Sequence, residues 1–241
     1  MNTYLILGAT GGIGSELSRR LAKDGANLIL AAQNQERLDA LAEETGARTI
    51  SLDARKTDQV EAAAKEAVEL HGRLDGIANC VGSIMLKPAH ITKDEDWQDT
   101  LDLNLGTAFA AVKAAGRTMR NGGSVVLMSS AAARIGLPNH EAIAAAKAGV
   151  AGLTLSAAAT YAPKKIRFNA VAPGLVETPG SAKITASEVS RNASLALHAL
   201  GELGKPSDIA PTIAWLLGPD SAWVTGQVFG IDGGLSTVRA R

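Results

Sequence analysis

The residues whose types and settings suit chemistry are a glycine cluster, two serines, an asparagine, a lysine and a histidine. Gly8, Gly12, Ile13 and Gly14 follow the apolar run Tyr4–Leu7 and lead directly into Leu17, Leu21 and Ala22 at helical spacing. A strand, a tight turn and a helix start, in that order, leave free N–H groups at the helix N-terminus, where an anion is favoured. The glycines let the main chain approach that anion closely, and a dinucleotide pyrophosphate is the group that fits. An ordinary glycine-rich turn is the plainer reading, and the strand and helix on either side argue against it. Ser129 and Ser130 follow the apolar run Ser124–Met128, at the carboxyl end of a strand, the edge of an open parallel sheet where ligands bind. Asn104 sits inside a helical stretch although its amide competes with the backbone, so it is either a tolerated amide or one with a task. Lys147 lies among alanines, where desolvation lowers an ammonium pKa toward the range of a working acid. His140 stands one helical turn before Ile143, where an imidazole can exchange a proton; its plain reading is a solvated first-turn histidine.

The elements that must position these residues alternate regularly. Asn27–Ala32 reads as a second buried strand, and Asn34 caps a helix through Leu38, Leu41 and Ala42 that stops at Gly46. Thr49–Asp53 reads as strand three, Thr57 opens a helix through Val60, Ala64 and Val68, and Leu74–Asn79 reads as strand four. A long helix from about Asp96 to Met119 encloses Asn104. Another, from His140 to Tyr161 with Asn139 as its cap, carries Lys147. The expected fold is α/β, a single Rossmann-type doubly wound parallel sheet flanked by helices on both faces. Residues 1–90 are expected to form the dinucleotide-binding half and residues 91–241 the half with the catalytic site. The Ser, Asn and Ala content of about 179–204 predicts mobility without cofactor.

Composition narrows the partners. With 24 basic and 24 acidic residues and a pI near 6.9, the chain of 241 residues has no long-range field to draw it to nucleic acid or an anionic membrane. Cys80 is the only cysteine, so no internal disulfide forms, and a cytoplasmic location is expected. Neither a targeting segment nor an apolar run of membrane-spanning length is expected. His71, His90 and His198 stand isolated, without metal-ligand spacing, so no metal site is expected.

Several further motifs occur in a set order. Asn79-Cys80-Val81-Gly82 follows strand four, and Asn169-Ala170-Val171-Ala172-Pro173-Gly174-Leu175-Val176-Glu177-Thr178-Pro179 leads into the segment at about 179–204. Gly204-Lys205-Pro206-Ser207-Asp208-Ile209-Ala210, Val224-Thr225-Gly226 and Asp232-Gly233-Gly234 close the chain. Together with Gly8-x-x-x-Gly12-Ile13-Gly14, they make the chain resemble the short-chain dehydrogenase/reductase family over nearly all its length. The resemblance implies that Gly8, Gly12, Ile13, Gly14, Gln33, Asp53, Asn79, Lys147, Val176 and Thr178 contact a nicotinamide dinucleotide, with Asp53 on the adenine side. It implies a substrate lid at about 179–204, and a catalytic group of Asn104, Ser130 and Lys147 around a tyrosine, thirteen residues after the serine and four before the lysine. That position is Ile143, and the two tyrosines, Tyr4 and Tyr161, lie elsewhere. Isoleucine has no proton to exchange, and losing a general acid costs ~10²–10⁴ in rate. His140 and Lys147 are the candidate replacements. Cys80, where the family has asparagine, reads as a packing residue.

Strand two ends in Ala32 and Gln33 without the acidic residue that would accept the ribose hydroxyls of NAD, and Gln33, Asn34 and Arg37 suit an added phosphate, so NADP(H) is expected over NAD(H). The expected function is an oxidoreductase acting on a small-molecule substrate, favouring a protonated imine or an activated alkene over a plain ketone. The alternative is a catalytically weak dinucleotide-binding sensor or scaffold. Resemblance also implies a homo-oligomer, dimer or tetramer, paired through the Asp96–Met119 and His140–Tyr161 helices; the plainer reading of their alanines is packing on the chain's own sheet.

Overall fold

Each short apolar run becomes a strand, and all the strands join one parallel sheet. In the computed structural model, which describes residues 1–239, β1 (Thr3–Leu7) leads into α1 (Gly12–Lys23), β2 (Asn27–Ala32) into α2 (Gln35–Thr45), and β3 (Arg48–Ser51) into α3 (Thr57–His71) and β4 (Gly76–Asn79). There follow α4 (Asp94–Leu101), α5 (Thr107–Thr118), β5 (Gly123–Met128), α6 (Glu141–Tyr161) and β6 (Ile166–Pro173). Then come α7 (Ala182–Thr185), α8 (Glu188–Leu197), α9 (Pro206–Leu217) and β7 (Val228–Ile231). The sheet order is β3-β2-β1-β4-β5-β6-β7, every pair parallel. The chain steps outward from β1 to β3, then returns to place β4 on the other side of β1. That reversal opens a crevice beyond the carboxyl ends of β1 and β4.

Because both faces are covered, the central strands are apolar throughout rather than alternating; β1 is buried at every residue. One face packs against Val60, Ala63 and Ala64 of α3, the alanines of α5, and Val150 and Ala157 of α6. The other packs against Leu17 and Leu21 of α1, Leu38 and Leu41 of α2, and Ile209, Ile213 and Leu216 of α9.

Local signals set most boundaries. The Asn34 side chain accepts from the Arg37 amide at 2.8 Å, and α2 ends at Gly46 in the left-handed conformation, as expected. β3 starts one residue earlier than expected and stops at Ser51. It is an edge strand paired only with β2, so Asp53 falls in the turn beyond it.

The expected long helix from Asp96 is two helices, starting at Asp94 and joined by a π-helical turn at Asp102–Gly106 that contains Asn104. Its first turn gathers Asp94, Glu95 and Asp96 against the positive end of the helix dipole. Asn139 is not the cap of α6: it adopts φ 64, in the left-handed region, and the N-cap position belongs to His140. The Asn139 carbonyl instead accepts from the Lys87 amide at 2.8 Å.

One helix, Glu141–Lys164 including the turn after α6, is long and apolar enough to cross a membrane, contrary to the expectation that no such run exists. Alanine and glycine give it that composition, and 44% of its apolar window is buried inside the protein, where α6 packs on β5 and β6. The lid segment folds as a short turn at Pro179–Ser181 followed by α7 and α8.

Candidate active site

The glycine loop lies at the crevice. Gly8 adopts φ 73, and a Cβ there would sit 2.9 Å from the Val81 amide nitrogen in the turn after β4. A Cβ at Gly14 would run into the Gly8 carbonyl, so α1 could not approach β1. The N-cap of α1 is Gly11, which has no side chain to cap the first-turn amides of Gly12, Ile13 and Gly14 and so leaves those donors for an anion. Across the loop, Thr178 closes so near that a Cβ at Gly12 would lie 2.7 Å from its methyl carbon. An uncapped helix end, a side-chain-free cradle and a covering segment fit a dinucleotide diphosphate.

At its carboxyl end β2 stops at Ala32, and Gln33 is exposed. Asn34 is spent on its cap, whereas Arg37 reaches back to donate to the Thr10 carbonyl at 2.8 Å, which sets its guanidinium beside the glycine loop. Asp53 is gripped by Arg55 at 2.7 Å, and that pairing, together with Gln33, pulls its carboxyl down to about 2. Asn79, expected to contact cofactor, is buried, donating to Thr107 Oγ1 at 3.1 Å and accepting from the Val81 amide at 3.2 Å. Its side chain braces the Cys80–Gly82 turn from behind and does not line the cleft.

A cleft of about 280 Å³ joins these parts to the second half of the chain. Ser130, Ile143, Lys147 and His140 border it, with Ile13, Val176 and Thr178 at the glycine-loop end. Ser130 Oγ accepts from the Ala132 amide at 3.2 Å, which leaves its O–H to donate into the cleft. Lys147 is 7% exposed, and its Nζ donates to the Met128 carbonyl at 2.9 Å. Burial pulls its pKa down to about 8. Ser129 Oγ donates to the Lys147 carbonyl at 2.9 Å, tying α6 to β5. Cys80 is partly accessible from the cleft but enclosed enough that burial pushes its thiol up to about 12; at neutral pH it is a packing group, not a thiolate.

Asn104 does not border the cleft. Its amide donates to the Thr100 carbonyl at 3.0 Å and to Ser83 Oγ at 3.1 Å, and its oxygen accepts from the Ser83 amide at 3.1 Å. The π turn gives the asparagine this reach, and Gly82 is the residue that brings it to Lys147: a Cβ there would lie 2.9 Å from Asn104 Oδ1 and 3.2 Å from Lys147 Nζ. His140 Nδ1 lies 2.7 Å from the Pro138 carbonyl, which requires a proton on Nδ1 and leaves Nε2 as the free nitrogen. Ile143 is 4% exposed, on the same face as Lys147 one turn away. Neither tyrosine borders the cleft: Tyr161 stacks on Phe168 with centroids 5.4 Å apart, and Tyr4 accepts from Asn2 at 3.0 Å.

His198, read from sequence as isolated, is a cleft residue and buried. Its Nδ1 lies 2.7 Å from the Ser194 carbonyl and its Nε2 accepts from the Leu175 amide at 3.2 Å, so one ring pins α8 to the exit of β6. No spacing in the chain announces this, because its partners come from another segment. The missing side chain of Gly174, where a Cβ would meet Nε2 at 2.5 Å, is the nearest thing to a signal.

Residues 8–236 match a family model described as enoyl-(acyl carrier protein) reductase. The chain is 36% identical over 238 residues to the 3-oxoacyl-(acyl-carrier-protein) reductase FabG of Thermotoga maritima, covering 96% of each chain. Among solved structures, a short-chain type dehydrogenase/reductase from Mycobacterium ulcerans superposes with a TM-score of 0.93 at 31% identity, over 99% of this chain and 91% of that one. A variant of the actinorhodin polyketide ketoreductase with NADPH superposes with a TM-score of 0.89 at 31% identity, over 98% of each chain.

Proposed function

This chain belongs to the short-chain dehydrogenase/reductase family, and from that premise we propose that it is an oxidoreductase passing hydride between NADP(H), in preference to NAD(H), and a small organic substrate, without a phenolic proton donor. The observation that carries this reading is the make-up of one cleft: Ser130, Lys147 and His140 border it together, Ile143 stands among them, and no tyrosine does. A bound nicotinamide supplies or accepts the hydride. The first-turn amides of Gly12, Ile13 and Gly14 hold the diphosphate, Asp53 the adenine, and Gln33 and Arg37 the 2′-phosphate. Val176, Thr178 and Lys147 border the nicotinamide end. The ketoreductase solved with NADPH supports a nicotinamide dinucleotide.

The Ser130 O–H orients a substrate oxygen, and Lys147 offsets the negative charge that develops on it. Asn104 acts at one remove, holding the Gly82–Ser83 turn against Lys147. The proton comes from His140 as its imidazolium, from Lys147, from water or from the substrate itself. Substrates that accept hydride without a phenol, protonated imines and activated alkenes, are therefore favoured over plain ketones. The exposed Phe109 on α5 and Leu155 on α6 support assembly into a dimer or tetramer through those helices. The lone cysteine supports a cytoplasmic setting.

Ile143 also favours a second reading, a weakly catalytic dinucleotide-binding sensor or scaffold. Turnover separates the two. Consumption of NADPH with a panel of enones and imines is expected of the enzyme; tight NADPH binding without hydride transfer to any of them identifies the sensor.

A further inference from the structure

We propose that the cleft receives an electrically neutral, apolar molecule carrying one acceptor oxygen and rejects cations, iminium ions included; this rests on the oxidoreductase reading of the same site. Of the two substrate kinds that dispense with a phenol, the neutral activated alkene is thereby selected.

The mouth is apolar. Ile84, Leu86, Leu137, Ile184, Leu197 and Leu235 line it from four separate segments. Ile84, Leu86 and Leu197 are 45%, 42% and 51% exposed, so apolar side chains converge on an accessible opening that an apolar ligand would cover. Ile143 extends this wall to the floor, where the usual donor of the family would have been polar.

The cleft offers no negative charge. Among the described residues, no aspartate, glutamate or arginine lines it; its one ammonium is Lys147, and its two imidazoles, His140 and His198, each hold Nδ1 against a backbone carbonyl. The neighbouring carboxylates are committed elsewhere: Glu177 pairs with Arg191 at 3.2 Å, and Asp232 accepts from the Gly234 and Ser236 amides at 3.0 and 3.1 Å. A cation entering here sheds its water, finds no counter-ion and meets Lys147. An anion fares better but not well, because Lys147 already donates to the Met128 carbonyl and no second base supports it. A neutral oxygen loses little on entry and finds the unengaged Ser130 O–H.

Three nearly isosteric probes isolate the charge: acetophenone, benzoate and benzamidinium, each titrated calorimetrically into the protein alone and into the protein with NADP+. The expected result is acetophenone tightest and benzamidinium weakest, with about tenfold or more between them. Leu197→Asp, at an exposed rim position, is expected to raise benzamidinium affinity by about tenfold. Benzamidinium or benzoate binding wild type as tightly as acetophenone would overturn the inference. So would a Leu197→Asp protein that folds yet leaves benzamidinium affinity unchanged. Acetophenone selectivity in a protein that does not bind NADP+ would instead support the cleft assignment while removing the oxidoreductase reading.

Discussion

Replacing Ile143 with tyrosine puts a phenol where the cleft has an isoleucine. The position is 4% exposed but lines a cleft of about 280 Å³, so the larger ring has open space on one side. Forcing extra atoms into a closed core costs about 1–3 kcal/mol, and the open side keeps the cost toward the low end. Lys147 lies one helical turn along the same face, and its ammonium favours ionisation of the new phenol. A positioned general acid contributes ~10²–10⁴ in rate, which is roughly 3–5 kcal/mol of barrier. The kcat/KM of Ile143→Tyr for a plain ketone should therefore rise by ~10²–10⁴. Its kcat/KM for an activated alkene should change far less. Initial rates of NADPH oxidation measure both, with NADPH affinity as the control for misfolding. Brisk ketone reduction by the wild type, with no gain in Ile143→Tyr, would refute the assignment of Ile143 as the lost donor position.

Arg37→Ala should weaken NADPH binding by ~10–100-fold, the worth of a charge-assisted hydrogen bond, while leaving NADH unchanged; paired fluorescence titrations measure the difference. Stability of the cofactor-free protein should depend on pH above neutrality, as read from urea unfolding across a pH series. Below about 8 folded and unfolded chains both hold the Lys147 proton, whereas between about 8 and the ordinary 10.5 only the unfolded chain does, so stability rises with pH by roughly 3 kcal/mol at most. Cys80 opposes this from 9.0 upward, because the unfolded thiol ionises there and the folded one only at about 12, so the rise should level off near 9.0 in wild type and continue in Cys80→Ala. His198→Ala leaves the Leu175 amide without its acceptor, a loss of about 1–3 kcal/mol, and should speed limited proteolysis within residues 179–204. His198→Gln, which keeps an acceptor, should restore much of the protection.

The parts of this molecule written in local pattern were legible from sequence. The buried runs of β1 and β2, the Asn34 cap and the Gly46 stop all depend on neighbours a few residues away, and the glycine loop combines such signals with a strand and a helix on either side. The anomaly of Asn104 was visible too, but not its cause, because its partner Ser83 lies across the fold and the π turn exists to reach it. A motif gives the position of Asn79 and not the direction of its side chain, which turns to Thr107. His198 went unread for the converse reason: its significance comes from Leu175, Gly174 and the lid closing on one ring. The cap of α6 lies one residue beyond the asparagine that the sequence offers, because Asn139 takes the left-handed turn that lets its carbonyl accept from Lys87.

Docking of a nicotinamide nucleotide against the start of α1 is the claim on which the functional account rests. Titration of the folded protein with NADPH and with NADH, followed by nucleotide fluorescence or calorimetry, tests it directly. Saturable binding of one nucleotide per chain, tighter for NADPH than for NADH, is the predicted result; no association of either nucleotide at saturating concentration would contradict it.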